Sequence, residues 1–200
     1  SDNGVAQSKR CAATPAARRL AAELNLDLMR VSEAYGVDIV DEKNVRAFML
    51  RKKVAIYGAG LGARQAMELI RSGSDFNAIG VFDDNPRIKG AEVAGLRVLG
   101  GWEDFLESVS EGNIDGIAIS LHSEHRRTLM DKIRGAVPQI EHVALVDSRA
   151  IVSSGVVVSQ GAFIEAGSVI GPETFIGEGV IVDSGSVVSH DCYIGAHSHL

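Results

Sequence analysis

The sequence has few cysteines, prolines and aromatic residues: 2 cysteines, 4 prolines and 5% aromatic residues in 200 positions. Cys11 and Cys192 are far apart and form no CxxC pair, so neither a disulfide framework nor a zinc knuckle is indicated. No apolar run approaches the roughly 18 residues of a membrane helix, and no signal-peptide pattern opens the chain. These absences predict a cytoplasmic protein with no membrane span.

Positive charge is also scarce in most of the chain. Residues 1–53 carry 10 basic and 7 acidic residues, whereas residues 54–200 carry 10 basic and 19 acidic residues. Binding to nucleic acid usually requires a concentrated basic field, which residues 54–200 lack. The 46% of apolar residues and the length suit one or two ordinary globular domains, with no nucleic-acid partner expected.

A repeat of six residues dominates the C-terminal part. From Val146 an aliphatic residue recurs at every sixth position; the set is Val146, Val152, Val158, Ile164, Ile170, Ile176, Val182, Val188, Ile194 and Leu200. A period of six fits neither an α-helix nor one long alternating strand. It predicts short strands joined by tight corners, three to a coil, in a parallel β-helix over residues 146–200.

The corners of these coils have their own pattern. The third residue after each aliphatic is glycine five times in nine, which predicts a positive φ there. The exceptions are Arg149, Glu173, Asp191 and His197. The fourth residue is small or β-branched and is predicted to face inward, which makes Cys192 a core residue and not a nucleophile.

Residues 52–145 alternate between strand and helix. A buried strand at 53–57 meets the glycine loop GAGLGA at 58–63, and a helix follows to about residue 71. A second strand is predicted at 78–82, a helix at 123–134 and a last strand at 141–146, which leads directly into the first hexapeptide. The order predicts a Rossmann-like α/β domain with a parallel sheet.

The glycine loop lies where a phosphate-binding loop belongs, between a strand and a helix. Gly58 is predicted to make the tight turn and Gly60 to let a diphosphate approach the backbone at the helix N-terminus. Asp83 or Asp84 ends the second strand, where a carboxylate can bind a ribose or a base. The pattern alone leaves three interpretations open: an NAD site, a nucleotide-sugar site, or a turn that only packs helix against strand.

Histidines form the second candidate site. His190 lies beside Asp191 at a corner and is predicted to point outward, as a general base or as a solvated corner residue. His190 and His199 are half a coil apart and should face different ways, so no metal site is expected. His122, His125 and His142 are interpreted as structural or solvent-facing, with His122 kept as a candidate for lining the nucleotide cleft.

The order of GAGLGA, GVFDDNP and SHDCYIGAHSHL resembles the bacterial sialic-acid O-acetyltransferase-like and nucleotide-sugar N-acetyltransferase family of surface-glycan biosynthesis, over about residues 52–200. The resemblance implies a Rossmann-like domain that binds a nucleotide sugar, expected to be UDP-linked, and a left-handed β-helix trimer that binds acetyl-CoA between subunits. It also implies site residues: His190 as catalytic base, Asp191 as its partner, His199 at the cofactor, and Gly58, Gly60, Gly62, Asp83 and Asp84 at the substrate.

Residues 13–50 resemble a different family, the peripheral subunit-binding domain of dihydrolipoamide acyltransferases. The match is ATPAARRLAAELNLDL, then Val31, then NVRAF. It implies a small helical pair, beginning at Thr14 and Pro15, that could bind a protein partner. Residues 1–12 are predicted to be disordered or a linker.

The fold expected for the whole chain is therefore mixed: a helical pair, a Rossmann-like domain and a left-handed β-helix, with further coils expected beyond Leu200. The function expected is acetyl transfer to an amino or hydroxyl group of a nucleotide-linked sugar. The alternatives are a non-catalytic trimeric binding module and, less favoured, an NAD-dependent oxidoreductase. A homotrimer is expected because seven apolar residues are predicted to point out of the β-helix: Val157, Phe163, Val169, Phe175, Ile181, Val187 and Tyr193.

Overall fold

The computed structural model describes residues 11–73, 75–121 and 123–200, and the chain divides into two compact units, Ser1–Arg51 and Lys52–Leu200. Most of the segment predicted to be disordered or a linker, and His122, lie outside the described residues. Ala12, which belongs to that segment, pairs in a short strand. None of the described helices is both long and apolar enough to cross a membrane.

Residues 11–51, the described part of the first unit, form three helices and one short pair of strands. In chain order these are β1 (Ala12–Ala13), α1 (Pro15–Glu23), α2 (Leu28–Tyr35), β2 (Ile39–Val40) and α3 (Glu42–Met49), with β1 parallel to β2. Thr14 caps α1 as predicted, because its side chain accepts a hydrogen bond from the Ala17 N–H. The sequence predicted two helices, one from Pro15 and one over 42–50, and the structure adds α2 between them. Asp27 caps α2, and Gly36 ends it with a φ of 59°.

The second unit begins with a six-stranded sheet and its helices. The elements are β3 (Lys52–Tyr57), α4 (Leu61–Gly73), β4 (Phe76–Phe82), β5 (Glu92–Val93), β6 (Leu96–Gly100), α5 (Trp102–Ser110), β7 (Gly116–Ile119), α6 (Ser123–Ala136) and β8 (Glu141–His142). The strand order is β5-β6-β4-β3-β7-β8, and all neighbours are parallel except β5 and β6. This order confirms the predicted Rossmann-like sheet, with the reversal point of the topology at β3.

The sheet buries both faces. Val54 and Ile56 of β3 pack with Ala63 and Ala66 of α4, whereas the alternate residues of β3 pack with α5 and α6. Successive side chains of a strand point to opposite faces, so β3 is apolar throughout its inner part, as a strand covered on both sides must be.

The strand predicted at 141–146 is wrong in its length, because the structure has two short strands there. Strand β8 ends at His142 and pairs with β7 of the sheet. Strand β9 (Leu145–Val146) pairs with a strand of the β-helix. A continuous strand cannot serve both sheets, so the chain leaves one sheet at Val143 and joins the other at Leu145.

The C-terminal part is the predicted β-helix. Its strands after β9 are β10 (Ile151–Val152), β11 (Val157–Val158), β12 (Phe163–Ile164), β13 (Val169–Ile170), β14 (Phe175–Ile176), β15 (Ile181–Val182), β16 (Val187–Val188) and β17 (Tyr193–Ile194). They form three parallel sheets, β9-β12-β15, β10-β13-β16 and β11-β14-β17, with partners eighteen residues apart. The fold class predicted from the sequence, including a left-handed β-helix, is confirmed.

The corners have the backbone predicted for them. All five turn-slot glycines have positive φ, between 63° and 78°. Glu173, Asp191 and His197 adopt the same conformation, with φ of 56°, 52° and 61°. Arg149 is not among the positive-φ residues of the chain. Three side chains are therefore held in a conformation that L-amino acids adopt at a cost.

The three outer faces of the β-helix differ in exposure. The covered face, formed by Leu145, Phe163 and Ile181, is buried, because Phe163 packs into the same core as α4 and β3. Phe163 and Ile181 therefore point out of the coil as predicted, but the expectation that they belong to an exposed apolar surface is wrong. The two open faces carry the rest of the apolar residues and are formed by Ile151, Val169 and Val187 and by Val157, Phe175 and Tyr193. Val187 is 76% exposed and Tyr193 75% exposed.

A buried arginine joins the sheet to the covered face. The Arg126 guanidinium donates to the Ile119 carbonyl at the end of β7 and to the Gly161 carbonyl at a corner of the β-helix. Its carbon lies 4.1 Å from the centre of the Phe163 ring, a cation–π contact. Burial lowers the pKa of Arg126 to about 10. One side chain thus connects α6, the sheet and the β-helix.

Candidate active site

The glycine loop begins at the carboxyl end of β3. The Gly58 N–H donates to the Phe82 carbonyl at 2.8 Å, and its φ of 105° is reserved in practice for glycine. A Cβ on Gly58 would lie 2.8 Å from both Leu121 Cδ2 and Ser120 Oγ. Gly58 therefore makes the tight turn that the sequence predicted.

The other two glycines of the loop have different surroundings. A Cβ on Gly60 would meet open space, so the backbone there is accessible at the N-terminus of the thirteen-residue α4. A Cβ on Gly62 would overlap the backbone oxygen of Ser120. Gly60 is thus placed for the approach of an anion, whereas Gly62 lets α4 pack closely on the end of β7.

Asp83 binds the loop itself. Its Oδ2 accepts a hydrogen bond from the Ala59 N–H at 2.8 Å, and its Oδ1 accepts one from the Asn85 N–H at 2.9 Å. The first bond ties the loop after β3 to the end of β4, and the second stays within the turn that follows β4. Asp83 is therefore next to the loop, as predicted, and it shapes the loop before any ligand binds.

Asp84 faces a cleft beside the loop. Its Oδ1 accepts a hydrogen bond from the Tyr57 hydroxyl at 2.6 Å. Burial raises the pKa of Tyr57, and the hydrogen bond to this carboxylate raises it further. The cleft has a volume of about 320 Å³, and its wall includes Tyr57, Asp84, Leu121, His125, Thr128 and Lys132. The sequence assigned no ligand role to the residues from α6; their helical spacing along one side of α6 is the signal that could have found them.

His190 lies at the corner between the two open faces of the β-helix. Its Nδ1 is 2.6 Å from Asp191 Oδ2, and both side chains are more than 70% exposed. When Nδ1 carries the proton and donates to the carboxylate, Nε2 keeps a lone pair that faces solvent. The structure thus brings together the predicted base and its partner, and it confirms that the histidine points outward.

His199 lies at a different place in the β-helix. It forms a bridge to Ile181, next to the covered face, and its Nε2 is 2.9 Å from Asp183 Oδ2. Within one chain it therefore does not join His190. In the part of the chain that the structure describes, no three histidine, cysteine, aspartate or glutamate residues cluster as a metal site would require.

Two further histidines, His142 and His197, and the thiol of Cys192 have structural surroundings. His142 is 4% exposed, and burial, followed by the charges of Arg134 and Arg126, lowers its pKa to about 4. Burial also lowers the pKa of His197. Cys192 is a free thiol that packs partly buried against the core of the β-helix.

Comparison with known proteins agrees with this architecture. Residues 53–133 match the PglD N-terminal domain family. No curated protein sequence matches the chain. The structure is similar to that of a histidine-to-alanine variant of GDP-perosamine N-acetyl transferase from Caulobacter crescentus, in complex with CoA and GDP-perosamine. The identity is 26%, the TM-score is 0.66, and the match covers 74% of this chain and 67% of that chain.

Two further structures share the architecture. The acetyltransferase domain of PglB from Neisseria gonorrhoeae FA1090, in complex with acetyl coenzyme A, is 25% identical over 74% of this chain and 70% of that chain, with a TM-score of 0.64. WeeI from Acinetobacter baumannii AYE is 18% identical over 73% of this chain and 76% of that chain, with a TM-score of 0.54, and supports the fold.

The Rossmann-like sheet that continues into a β-helix is the architecture this chain shares with these acetyltransferases. The predicted resemblance to the nucleotide-sugar acetyltransferase family is confirmed.

Proposed function

We propose that the protein is an acetyl-CoA-dependent acetyltransferase that acts on an amino or hydroxyl group of a nucleotide-linked sugar in surface-glycan biosynthesis. The observation that carries the proposal is the His190–Asp191 pair at 2.6 Å on an exposed corner of the β-helix. The same fold, at 26% identity, binds CoA and GDP-perosamine in the Caulobacter enzyme.

His190 acts as the general base. Its Nε2 takes the proton of the acceptor amine or hydroxyl while that group attacks the thioester carbonyl of acetyl-CoA. The new bond joins the acceptor atom to the acetyl carbon, the bond from this carbon to sulfur breaks, and the proton held by His190 passes to the departing thiol. The enzyme forms no covalent bond of its own in this sequence.

Asp191 fixes the tautomer of His190. Because Nδ1–H donates to the Asp191 carboxylate, the lone pair stays on Nε2, and the carboxylate stabilises the imidazolium that forms during the reaction. General bases of this kind accelerate proton transfer roughly 10²–10⁴-fold.

The nucleotide sugar binds at the glycine loop. The open backbone at Gly60 and the N-terminus of α4 suit a diphosphate, whereas Asp84 presents an exposed carboxylate to the neighbouring cleft. Asp83 and Gly58 maintain the shape of the loop. We propose a UDP-linked sugar in a cytoplasmic enzyme, on the sequence arguments above.

The active site is shared between copies of the chain in a homotrimer. The two open faces meet at the corner that carries His190, so packing them against other copies would place a neighbour beside the base. His199 does not join His190 within its own chain. In the trimer, His199 of one copy contacts the acetyl-CoA that reacts at His190 of a neighbouring copy. The unit at 13–50 remains a candidate site for a protein partner.

The proposal is tested by acetyl-CoA-dependent thiol release with UDP- and GDP-linked amino sugars. Replacing His190 by Ala should lower the rate roughly 10²–10⁴-fold. The variant should keep its thermal unfolding temperature, because the side chain is 71% exposed. Activity of His190→Ala within tenfold of the parent would remove this residue from the mechanism. An inactive parent protein that still forms trimers would favour the non-catalytic module.

Two glycines of one loop separate ligand binding from folding. Gly60→Val should weaken binding of UDP in calorimetry and leave both the unfolding temperature and CoA binding unchanged, because its Cβ enters open space. Gly62→Ala is the matched control and should lower the unfolding temperature, because its Cβ meets Ser120. Equal loss of UDP and CoA binding in Gly60→Val would contradict the assignment, and tight NAD binding by the parent would favour an oxidoreductase.

A further inference from the structure

One buried hydroxyl spans the corner that carries His190. Thr174 lies one coil away in an inward position and is 1% exposed. Its Oγ1 donates to the Ser189 carbonyl at 2.9 Å and accepts from the Cys192 N–H at 3.3 Å. Ser189 and Cys192 are the residues immediately before and after the His190–Asp191 pair, so a single side chain holds both ends of this segment.

The other inward hydroxyls bond differently. Ser168 and Ser198 each donate to a carbonyl three residues earlier, within their own corner. Ser186 reaches the next coil, but through one bond, to the Leu200 carbonyl. Among the hydrogen bonds of the described inward serines and threonine, the two-sided bridge of a neighbouring corner is specific to Thr174.

The backbone of this corner needs such support. Asp191 has a φ of 52°, a conformation that persists in non-glycine residues when neighbouring groups hold it. Its N–H donates to the Pro172 carbonyl at 3.0 Å. A Cβ on Gly171 would lie 2.6 Å from the His190 nitrogen, so the two coils approach closely here. With this backbone, the Asp191 carboxylate lies 2.6 Å from His190 Nδ1.

We infer that Thr174 is a positioning residue for the His190–Asp191 pair, an inference that rests on the proposed acetyl transfer. Its hydroxyl sets the backbone on both sides of the pair and thereby the tautomer and direction of the imidazole. The branched side chain has few rotamers, which keeps the hydroxyl aimed at the corner. Loss of the hydroxyl leaves the Ser189 carbonyl and the Cys192 N–H without this partner.

The kinetic test compares Thr174→Val, which keeps the shape and removes the hydroxyl, with Thr174→Ser, which keeps the hydroxyl. Thr174→Val should lower kcat for acetyl transfer roughly 10- to 100-fold, since small displacements of reacting groups have effects of this size. KM for both substrates should stay within about twofold of the parent, because Thr174 is 1% exposed. Thr174→Ser should recover most of kcat, because it keeps the hydroxyl.

Ser168→Ala is the matched control. It removes an equally buried inward hydroxyl that bonds only its own corner, so kcat should be unchanged. Thermal unfolding shows which variants are folded at the assay temperature, and Thr174→Ala provides a second hydroxyl-free variant if Thr174→Val is not. A kcat of the folded hydroxyl-free variant within about twofold of the parent would overturn the inference, as would an equal loss in Ser168→Ala.

A second measurement does not depend on catalysis. The ¹⁵N resonances of the His190 ring report which nitrogen carries the proton. The parent and Thr174→Ser should show mainly the Nδ1–H form, and Thr174→Val should show a mixture of tautomers. A parent without acetyl transfer would refute the proposed function while this readout still tests positioning; identical tautomers in Thr174→Val and the parent would refute positioning alone.

Discussion

The covered face and the open faces of the β-helix are built from the same repeat, yet the first is buried and the others are exposed. Phe163 and Phe175 occupy the same position two hexapeptides apart. Phe163 is 4% exposed against the Rossmann-like sheet, whereas Phe175 is partly exposed and stacks on Tyr193 with ring centres 5.0 Å apart. The comparison teaches that the repeat fixes which side chains point out of the coil, while long-range packing decides which of them are covered.

The largest expected effect is the loss of the covered phenylalanine. Phe163→Ala should lower the free energy of unfolding by about 3–5 kcal/mol, the usual range for a buried phenylalanine. Phe175→Ala, its matched control on an open face, should cost about 1 kcal/mol through the lost stacking with Tyr193. Urea unfolding followed by circular dichroism measures both values, and equal losses would break the distinction between the faces.

The junction arginine gives the next largest effect. Arg126→Met should lower the free energy of unfolding by about 2–4 kcal/mol, because the Ile119 and Gly161 carbonyls lose their donor in a buried place. Arg127→Met changes the neighbouring residue, which is 68% exposed, and should be nearly neutral. An Arg126→Met variant as stable as Arg127→Met would show that the guanidinium does not hold the two parts together.

The free energy of unfolding should depend on pH through the buried side chain of His142. Burial lowers its folded-state pKa to about 4, below the ordinary histidine value of 6.5, so the unfolded chain binds the proton more readily between these values. Stability from this residue is therefore complete above pH 6.5 and falls as the pH drops towards 4, by at most about 3 kcal/mol.

Replacing His142 by Leu should flatten that slope, whereas His125→Gln, an exposed control, should leave it unchanged. The measurement is the free energy of unfolding in urea at several pH values between 4 and 7. An unchanged slope in His142→Leu would assign the acid sensitivity to other groups.

The smallest effect on unfolding is expected at the open faces. Tyr193→Asp should change the free energy of unfolding by less than about 1 kcal/mol when parent and variant are compared as monomers, because the side chain is 75% exposed. Light scattering at high concentration should instead show loss of trimers, with Gln160→Glu at an exposed corner as the neutral control. A Tyr193→Asp variant that still forms trimers would move the interface elsewhere.

Patterns of neighbouring residues predicted the strands, their register and the corner conformations of the β-helix. The sixfold spacing from Val146 predicted the strands and their eighteen-residue register, and the glycines at the corners predicted positive φ. The helix at 28–35 could have been predicted as well, from Asp27 as its cap and Gly36 at its end. The sequence could not show that Phe163 faces another part of the chain, because other members of its core, such as Val54 and Ile56, lie more than one hundred residues away.

The candidate site shows the same limit. Gly58, Gly60 and Asp83 were placed together by the strand–loop–helix pattern, and His190 and Asp191 are adjacent in the chain. The bond between Tyr57 and Asp84, and the bridge from Thr174 to the His190 corner, depend on contacts between separate elements. Spacing gives no information on such contacts unless the coil geometry is already known.

The left-handed backbone of Asp191 has a consequence for how this protein can be improved. Glycine adopts that conformation without penalty, and five other corners use it. A search for thermostable variants would therefore favour Asp191→Gly, which relieves the backbone and removes the partner of His190 in one step. Under the proposed mechanism, a gain in stability at this residue therefore comes with a loss of turnover.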